Sequence, residues 1–156
     1  MAGLYRILWL EEDYLDAFEA ALRVRGYEVD RAFFLSDAVG LLDKNRYDLL
    51  LLDVMIPIEG PDVDLGFTSD NTQGGDRSGL SFYEKYRDRL VSLDLPVLVY
   101  TICGDIPDVK KSFVELGLKP ENYIDKVDAS NVNDLLQHVD RVLRHRAPVS
   151  DKYSEA

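Results

Sequence analysis

The segment YDLLLLDVMIP contains four consecutive leucines, Leu49–Leu52, that run directly into Asp53. Successive side chains of a β-strand point to opposite faces. A strand that is apolar at every position must therefore be covered on both faces. This is the situation of a central strand in a parallel sheet with helices on either side. The rest of the chain supplies the partners. Residues 4–10 (LYRILWL), 27–34 (YEVDRAFF), 96–100 (PVLVY) and 122–125 (NYID) read as four further strands. Between and after them, apolar residues recur at helical spacing. The sets are Leu15, Phe18 and Leu22; Ala38, Leu41 and Leu42; Leu80, Tyr83 and Leu90; Val109, Phe113 and Leu116; and Val132, Leu135, Leu136, Val139 and Leu143. Asp13, Ser36 and Ser130 are the expected N-caps, Pro107 fits near a helix start, and Gly26 and Gly117 are expected stops. Such β-α alternation predicts an α/β fold, a doubly wound five-stranded parallel sheet with right-handed crossovers.

One stretch breaks the rhythm. Residues 58–78 (IEGPDVDLGFTSDNTQGGDRS) are rich in Gly, Asp and Pro and have no period. They read as a long loop, with a mobile surface loop as the plain expectation. A lid, a partner-docking element, or a source of one more carboxylate from Asp62, Asp64, Asp70 or Asp76 are the alternatives. The expected organisation is one domain over residues 4–145 carrying the 58–78 loop, followed by a flexible C-terminal tail over 146–156.

Charge and composition narrow the function classes. The net charge of −11 repels phosphate backbones, which argues against nucleic acid as a direct partner. No run approaches the roughly 18 apolar residues of a membrane span, and the N-terminus lacks a signal-peptide pattern. The single Cys103 fits a reducing compartment and reads as a small packing residue. The expectation is a soluble cytoplasmic protein without membrane contact.

In a doubly wound sheet, ligands bind beyond the carboxyl ends of the strands. Glu11, Glu12 and Asp13 follow the first predicted strand, Asp53 the third, Thr101 the fourth, and Lys126 the fifth. If the first and third strands are neighbours, several carboxyl groups crowd into one crevice. Crowded carboxylates repel unless a cation joins them, and an all-oxygen set suits Mg²⁺. With Thr101 as hydroxyl donor and Lys126 as a compact positive charge, the set reads as a phosphoryl-transfer site in which Asp53 is the nucleophile. Each residue alone has an ordinary explanation: helix-start acids, a turn aspartate, a strand threonine, a surface lysine. Their joint placement on one rim favours the chemical one.

The ordered motifs RILWLEED, LLLLDVMIP, PVLVYT and YIDK resemble the receiver domain of bacterial two-component response regulators, over roughly residues 5–144. The resemblance implies a flavodoxin-like receiver fold with strand order 2-1-3-4-5. It implies that Asp53 is the phosphoacceptor, served by a sensor histidine kinase or a histidine phosphotransfer protein. It implies Mg²⁺ held by Glu11, Glu12, Asp53 and the backbone carbonyl of Met55. Thr101 and Lys126 would bind phosphoryl oxygens, and Thr101 and Tyr123 would form the switch. Signalling would pass to a downstream protein partner or a homodimer, and the chain would not be an enzyme with external substrates, beyond promoting its own phosphorylation and dephosphorylation. The C-terminal tail is too short to fold as an output domain, so a stand-alone receiver is expected.

Three departures from the family pattern bear on this. The second acid is Glu12 where the family has Asp, so weaker Mg²⁺ binding is expected; Asp13 is an alternative ligand. Val127 follows Lys126 where the family has Pro; a cis bond there would cost about 3 kcal/mol, so a trans bond is expected. The loop before Gly79 carries an insertion of roughly eighteen residues relative to ordinary loop lengths. These departures support a second reading, a degenerate receiver that binds protein without phosphorylation. A dehalogenase-type phosphatase would need Asp-x-Asp, and Met55 occupies the second position. No Gly-rich nucleotide-binding motif is present.

Overall fold

The structure is a computed structural model that describes residues 4–13, 15–102 and 108–149. Strands β1 (Arg6–Leu10), β2 (Glu28–Ala32), β3 (Leu49–Leu52), β4 (Val97–Thr101) and β5 (Tyr123–Asp125) form one sheet in the order β2-β1-β3-β4-β5. Every pairing is parallel. The helices are α1 (Asp16–Val24), α2 (Leu35–Lys44), α3 (Gly60–Asp64), α4 (Ser69–Thr72), α5 (Ser78–Ser92), α6 (Val109–Glu115) and α7 (Val132–Leu143).

The leucine run does what its composition demands. Leu49 and Leu51 face the layer that holds Leu22 of α1 and Leu135, Val139 and Leu143 of α7. Leu50 and Leu52 face the layer of α2, α5 and α6, with Ala38, Phe82 and Phe113. All four leucines are fully buried. At roughly 2 kcal/mol for each buried leucine side chain, this strand is a principal anchor of both cores.

Helix boundaries differ from expectation where a different side chain reaches the free N–H groups. Asp13 lies in an exposed bend, and α1 starts only at Asp16. Ser36 sits inside α2, whose start is held by two acids, one of its own first turn and one from the 58–78 segment. Asp37 accepts from the Phe33 and Phe34 N–H groups at 3.2 and 3.1 Å, and Asp62 accepts from the Ser36 N–H at 2.7 Å. At α7 the cap is Asn131, which accepts from the Asp134 N–H at 2.9 Å, and not Ser130. Gly26 and Gly117 end α1 and α6 with positive φ, as expected. Cys103 and Pro107 lie outside the described residues.

The expectation of an aperiodic mobile loop over 58–78 is corrected. The segment contains α3 and α4 and has its own buried residues. Phe67 is buried, with its ring centroid 6.4 Å from that of Phe82 and 6.2 Å from that of Tyr86. The Asp62 carboxylate is fully buried and spans two elements, accepting from Ser36 of α2 and from the Glu59 N–H at 2.9 Å. The Ser78 hydroxyl donates to the Ile56 carbonyl and draws the two ends of the excursion together. Periodicity missed this because short helices of four and five residues show too little pattern to count.

The free tail expected from residue 146 is corrected as well for its first residues. The Val149 N–H donates to Asp48 at 2.7 Å, and Asp48, fully buried, also accepts from the Arg6 N–H at 2.8 Å. The Arg146 carbonyl accepts from the Tyr5 hydroxyl. Residues 150–156 lie outside the described residues.

Because the insertion packs, Phe67→Ala is expected to lower the free energy of unfolding by about 3 kcal/mol, read by urea denaturation. A change within roughly 0.5 kcal/mol, the range of ordinary surface substitutions, would mean the segment lies loosely on the surface.

Candidate functional site

At the carboxyl end of the sheet β1, β3 and β5 each hand a polar residue to the rim while the backbone ladder continues one step further. The Glu11 N–H donates to the Ala32 carbonyl at 3.0 Å, the Asp53 N–H to the Leu10 carbonyl at 3.0 Å, and the Lys126 N–H to the Thr101 carbonyl at 2.9 Å. The side chains of Glu11, Asp53 and Lys126 thus start from backbone positions fixed to neighbouring strands, and Thr101 lies within β4 itself.

The four side chains meet. The Thr101 hydroxyl donates to Asp53 Oδ1 at 2.6 Å, and the Val54 N–H donates to the same oxygen at 2.8 Å. Lys126 Nζ lies 3.1 Å from both carboxylate oxygens of Glu11 and 3.8 Å from Asp53 Oδ2. Glu11 and Thr101 are fully buried and Asp53 is nearly so. Burial, followed by the adjacent Asp53 carboxylate, raises the Glu11 pKa to about 8, with Lys126 pulling in the opposite direction. Asp53 carries two hydrogen bonds on Oδ1, and Oδ2 faces the lysine.

The backbone behind Asp53 is packed against α5. The Gly79 N–H donates to the Val54 carbonyl at 2.9 Å. A Cβ on residue 79 would stand 2.1 Å from the Asp53 carbonyl oxygen and 2.8 Å from Val54 Cα. No side chain fits there, so only glycine lets α5 approach the Asp53 peptide group.

The remaining expected residues lie further out. Glu12 and Asp13 are exposed, and Met55 is 40% exposed. Tyr123 is half-buried at the β5 edge, with its ring 6.0 Å from that of Phe113. Of the acids in the insertion, Asp62 is spent on α2, while Asp64, Asp70 and Asp76 are exposed. No cis peptide occurs among the described residues, so the bond before Val127 is trans as expected. Lys126 reaches the site without a proline after it.

Whether these residues suit a divalent cation is a question of donor chemistry. Burial and the neighbouring Asp53 disfavour the charge on Glu11, and a hard cation between the two would relieve this. Among the described residues no three acid, histidine or cysteine side chains already converge as a ligand cage. The fit is therefore to an ion such as Mg²⁺ that keeps several waters and takes few protein ligands. Asp53 and Glu11 would hold it, with Glu12 and the Met55 carbonyl at the mouth.

The comparisons with known proteins bear on the fold. No model of a known protein family matches the chain. The transcriptional regulatory protein DltR of Streptococcus agalactiae is 30% identical over 116 residues, which make up 74% of this chain and 42% of DltR. The chain thus spans under half the length of the curated relatives it matches. Among solved structures, a CheY-like response regulator receiver domain protein from Methanospirillum hungatei JF-1 superposes with a TM-score of 0.67 at 21% identity, covering 91% of this chain and 95% of that one. This chain has the receiver fold. An orphan response regulator of H. pylori gives a TM-score of 0.66 at 22% identity, covering 92% of this chain and 100% of that one. Among the described residues no helix is long and apolar enough to cross a membrane.

Sequence reasoning did not single out Arg31, whose guanidinium reaches the acidic loop at the Glu11 and Asp13 carbonyls. An arginine in the weakest predicted strand reads as solvated surface. Only the pairing of β2 beside β1 brings it over the loop.

The raised Glu11 pKa has a consequence for stability. The folded metal-free protein binds this proton more tightly than the unfolded chain, so Glu11 favours folding most below pH 4.5 and loses that contribution as pH rises through about 8. Glu11→Gln is expected to flatten the dependence of unfolding free energy on pH across this interval. An unchanged slope in the variant would show that Glu11 titrates normally.

Proposed function

We propose that the chain is a phosphoacceptor receiver, with Asp53 taking a phosphoryl group from the phosphohistidine of a sensor kinase or a histidine phosphotransfer protein. The observation that carries this reading is the convergence of Thr101 and Lys126 on the two different oxygens of a single buried aspartate, with Glu11 beside it.

In this reading Asp53 Oδ2 forms the new O–P bond while the donor's P–N bond breaks, and the electron pair departs on the imidazole nitrogen. Thr101 gives up its hydrogen bond to Oδ1 and donates to a phosphoryl oxygen. Lys126 moves its ammonium from Glu11 toward the added negative charge. A bound Mg²⁺ would supply charge neutralisation for the carboxylates and the phosphoryl oxygens. Withdrawal of Thr101 opens space beside β5 for the Tyr123 ring, and the face formed by α6, β5 and α7 changes shape. The readout would be a protein partner or a second copy of the chain, and the charge of −11 argues against nucleic acid as a direct ligand. Cytoplasmic location, a role in signalling without external substrates, and a domain spanning residues 4–145 belong to the same proposal.

The test is labelling by a small phosphodonor such as acetyl phosphate. Mg²⁺-dependent, base-labile label is expected on the wild type and none on Asp53→Asn. Absence of label on the wild type with Mg²⁺ present would sink the phosphoacceptor reading. It would favour the degenerate receiver, for which the exposure of Glu12 is the supporting observation. Glu12→Asp is expected to bind Mg²⁺ more tightly in a calorimetric titration, because the shorter acid meets octahedral geometry with less distortion. Equal affinity would mean that residue 12 does not ligate.

A further inference from the structure

Arg31 lies on the edge strand β2, opposite Trp9 of β1, yet its side chain is only 9% exposed. The guanidinium carbon stands 4.8 Å from the Trp9 ring centroid and 5.1 Å from that of Phe33. Nη1 lies 3.7 Å from Glu19 Oε1 of α1. A single nitrogen, Nη2, donates to the carbonyl of Glu11 at 2.8 Å and to the carbonyl of Asp13 at 2.7 Å. These two carbonyls bracket Glu12. The sheet ladder stops at the bond from the Glu11 N–H to the Ala32 carbonyl, and residues 12 and 13 are exposed bends.

We infer that Arg31 is a positioning residue for the acidic loop: by holding the Glu11 carbonyl just before Glu12 and the Asp13 carbonyl one residue after it, it sets the direction from which the Glu12 carboxylate approaches a divalent cation at Asp53. This rests on the receiver reading of the site. Glutamate has one more rotatable bond than aspartate, so a loop that must deliver it to an ion with strict octahedral demands gains most from a fixed backbone. The two rings fix the plane of the guanidinium, and the two N–H bonds of Nη2 reach carbonyls that belong to different peptide units. A lysine ammonium is a point charge on a flexible stem with no stacking plane, so its donors are not held in a fixed direction.

The experiment is a calorimetric titration with Mg²⁺ alone, on the full chain, for wild type, Arg31→Lys, Glu12→Gln and the double variant. Thermal melts verify that each is folded, and Arg31→Gln, which keeps a planar donor, replaces Arg31→Lys if that variant does not fold. Arg31→Lys is expected to weaken Mg²⁺ binding roughly tenfold, the scale of lost outer-shell support. In the Glu12→Gln background the same change is expected to cost less than about twofold, because the group being positioned is gone. A second readout needs no metal: amide exchange at residues 12 and 13 is expected to speed up in Arg31→Lys. Retained affinity in Arg31→Lys, or an equal loss in both backgrounds, overturns the positioning role while the receiver reading stands. A wild type that does not bind Mg²⁺ overturns the phosphoacceptor reading, and the positioning role with it.

Discussion

A strand buried on both faces cannot carry a charged side chain until it reaches an edge of the sheet, and the rest of this structure follows from that constraint. Leu49–Leu52 are apolar throughout because α1 and α7 cover one face and α2, α5 and α6 the other. Asp53 is the first position at which a carboxylate is tolerated. Its backbone is still held by the Leu10 carbonyl, so its side chain departs from a rigid point. The parallel pairing of β3 with β1 and β4 then sets Glu11 and Thr101 on either side of it.

The cost of this arrangement is electrostatic. Glu11 is pushed well above the ordinary carboxylate range by burial and by Asp53, and Lys126 is drawn onto Glu11 more closely than onto Asp53. Removing acids from water and placing them together is unfavourable unless positive charge joins them. In the phosphoacceptor role proposed above, a cation joining Glu11 and Asp53 would relieve this repulsion. The loop on one side of the site is tied by Arg31, and the peptide of Asp53 on the other is packed against Gly79. The rim is therefore held from two directions.

The insertion belongs to the fold more than to the site. Asp62 caps α2, Phe67 extends the aromatic cluster on α5, and Ser78 closes the base beside Ile56. It widens one helical layer and leaves the acidic crevice to residues from the strand ends.

Much of this was legible in the chain itself. The leucine run and the alternation of periods led to a five-stranded parallel α/β sheet, the polar residue after each apolar run led to Glu11, Asp53, Thr101 and Lys126, and the resemblance of the ordered motifs to receiver domains supplied the strand order. The run and the alternation did so because burial on two faces and burial on one face leave different patterns in sequence. The caps at Asp62 and Asn131, the docking of Val149 on Asp48 and the reach of Arg31 to the acidic loop were decided only by tertiary structure. Each is a hydrogen bond between a side chain and a backbone group whose partner is chosen by proximity in space. Side-chain composition records which residues must leave water, but not which peptide group a buried carboxylate or a guanidinium will find when it does.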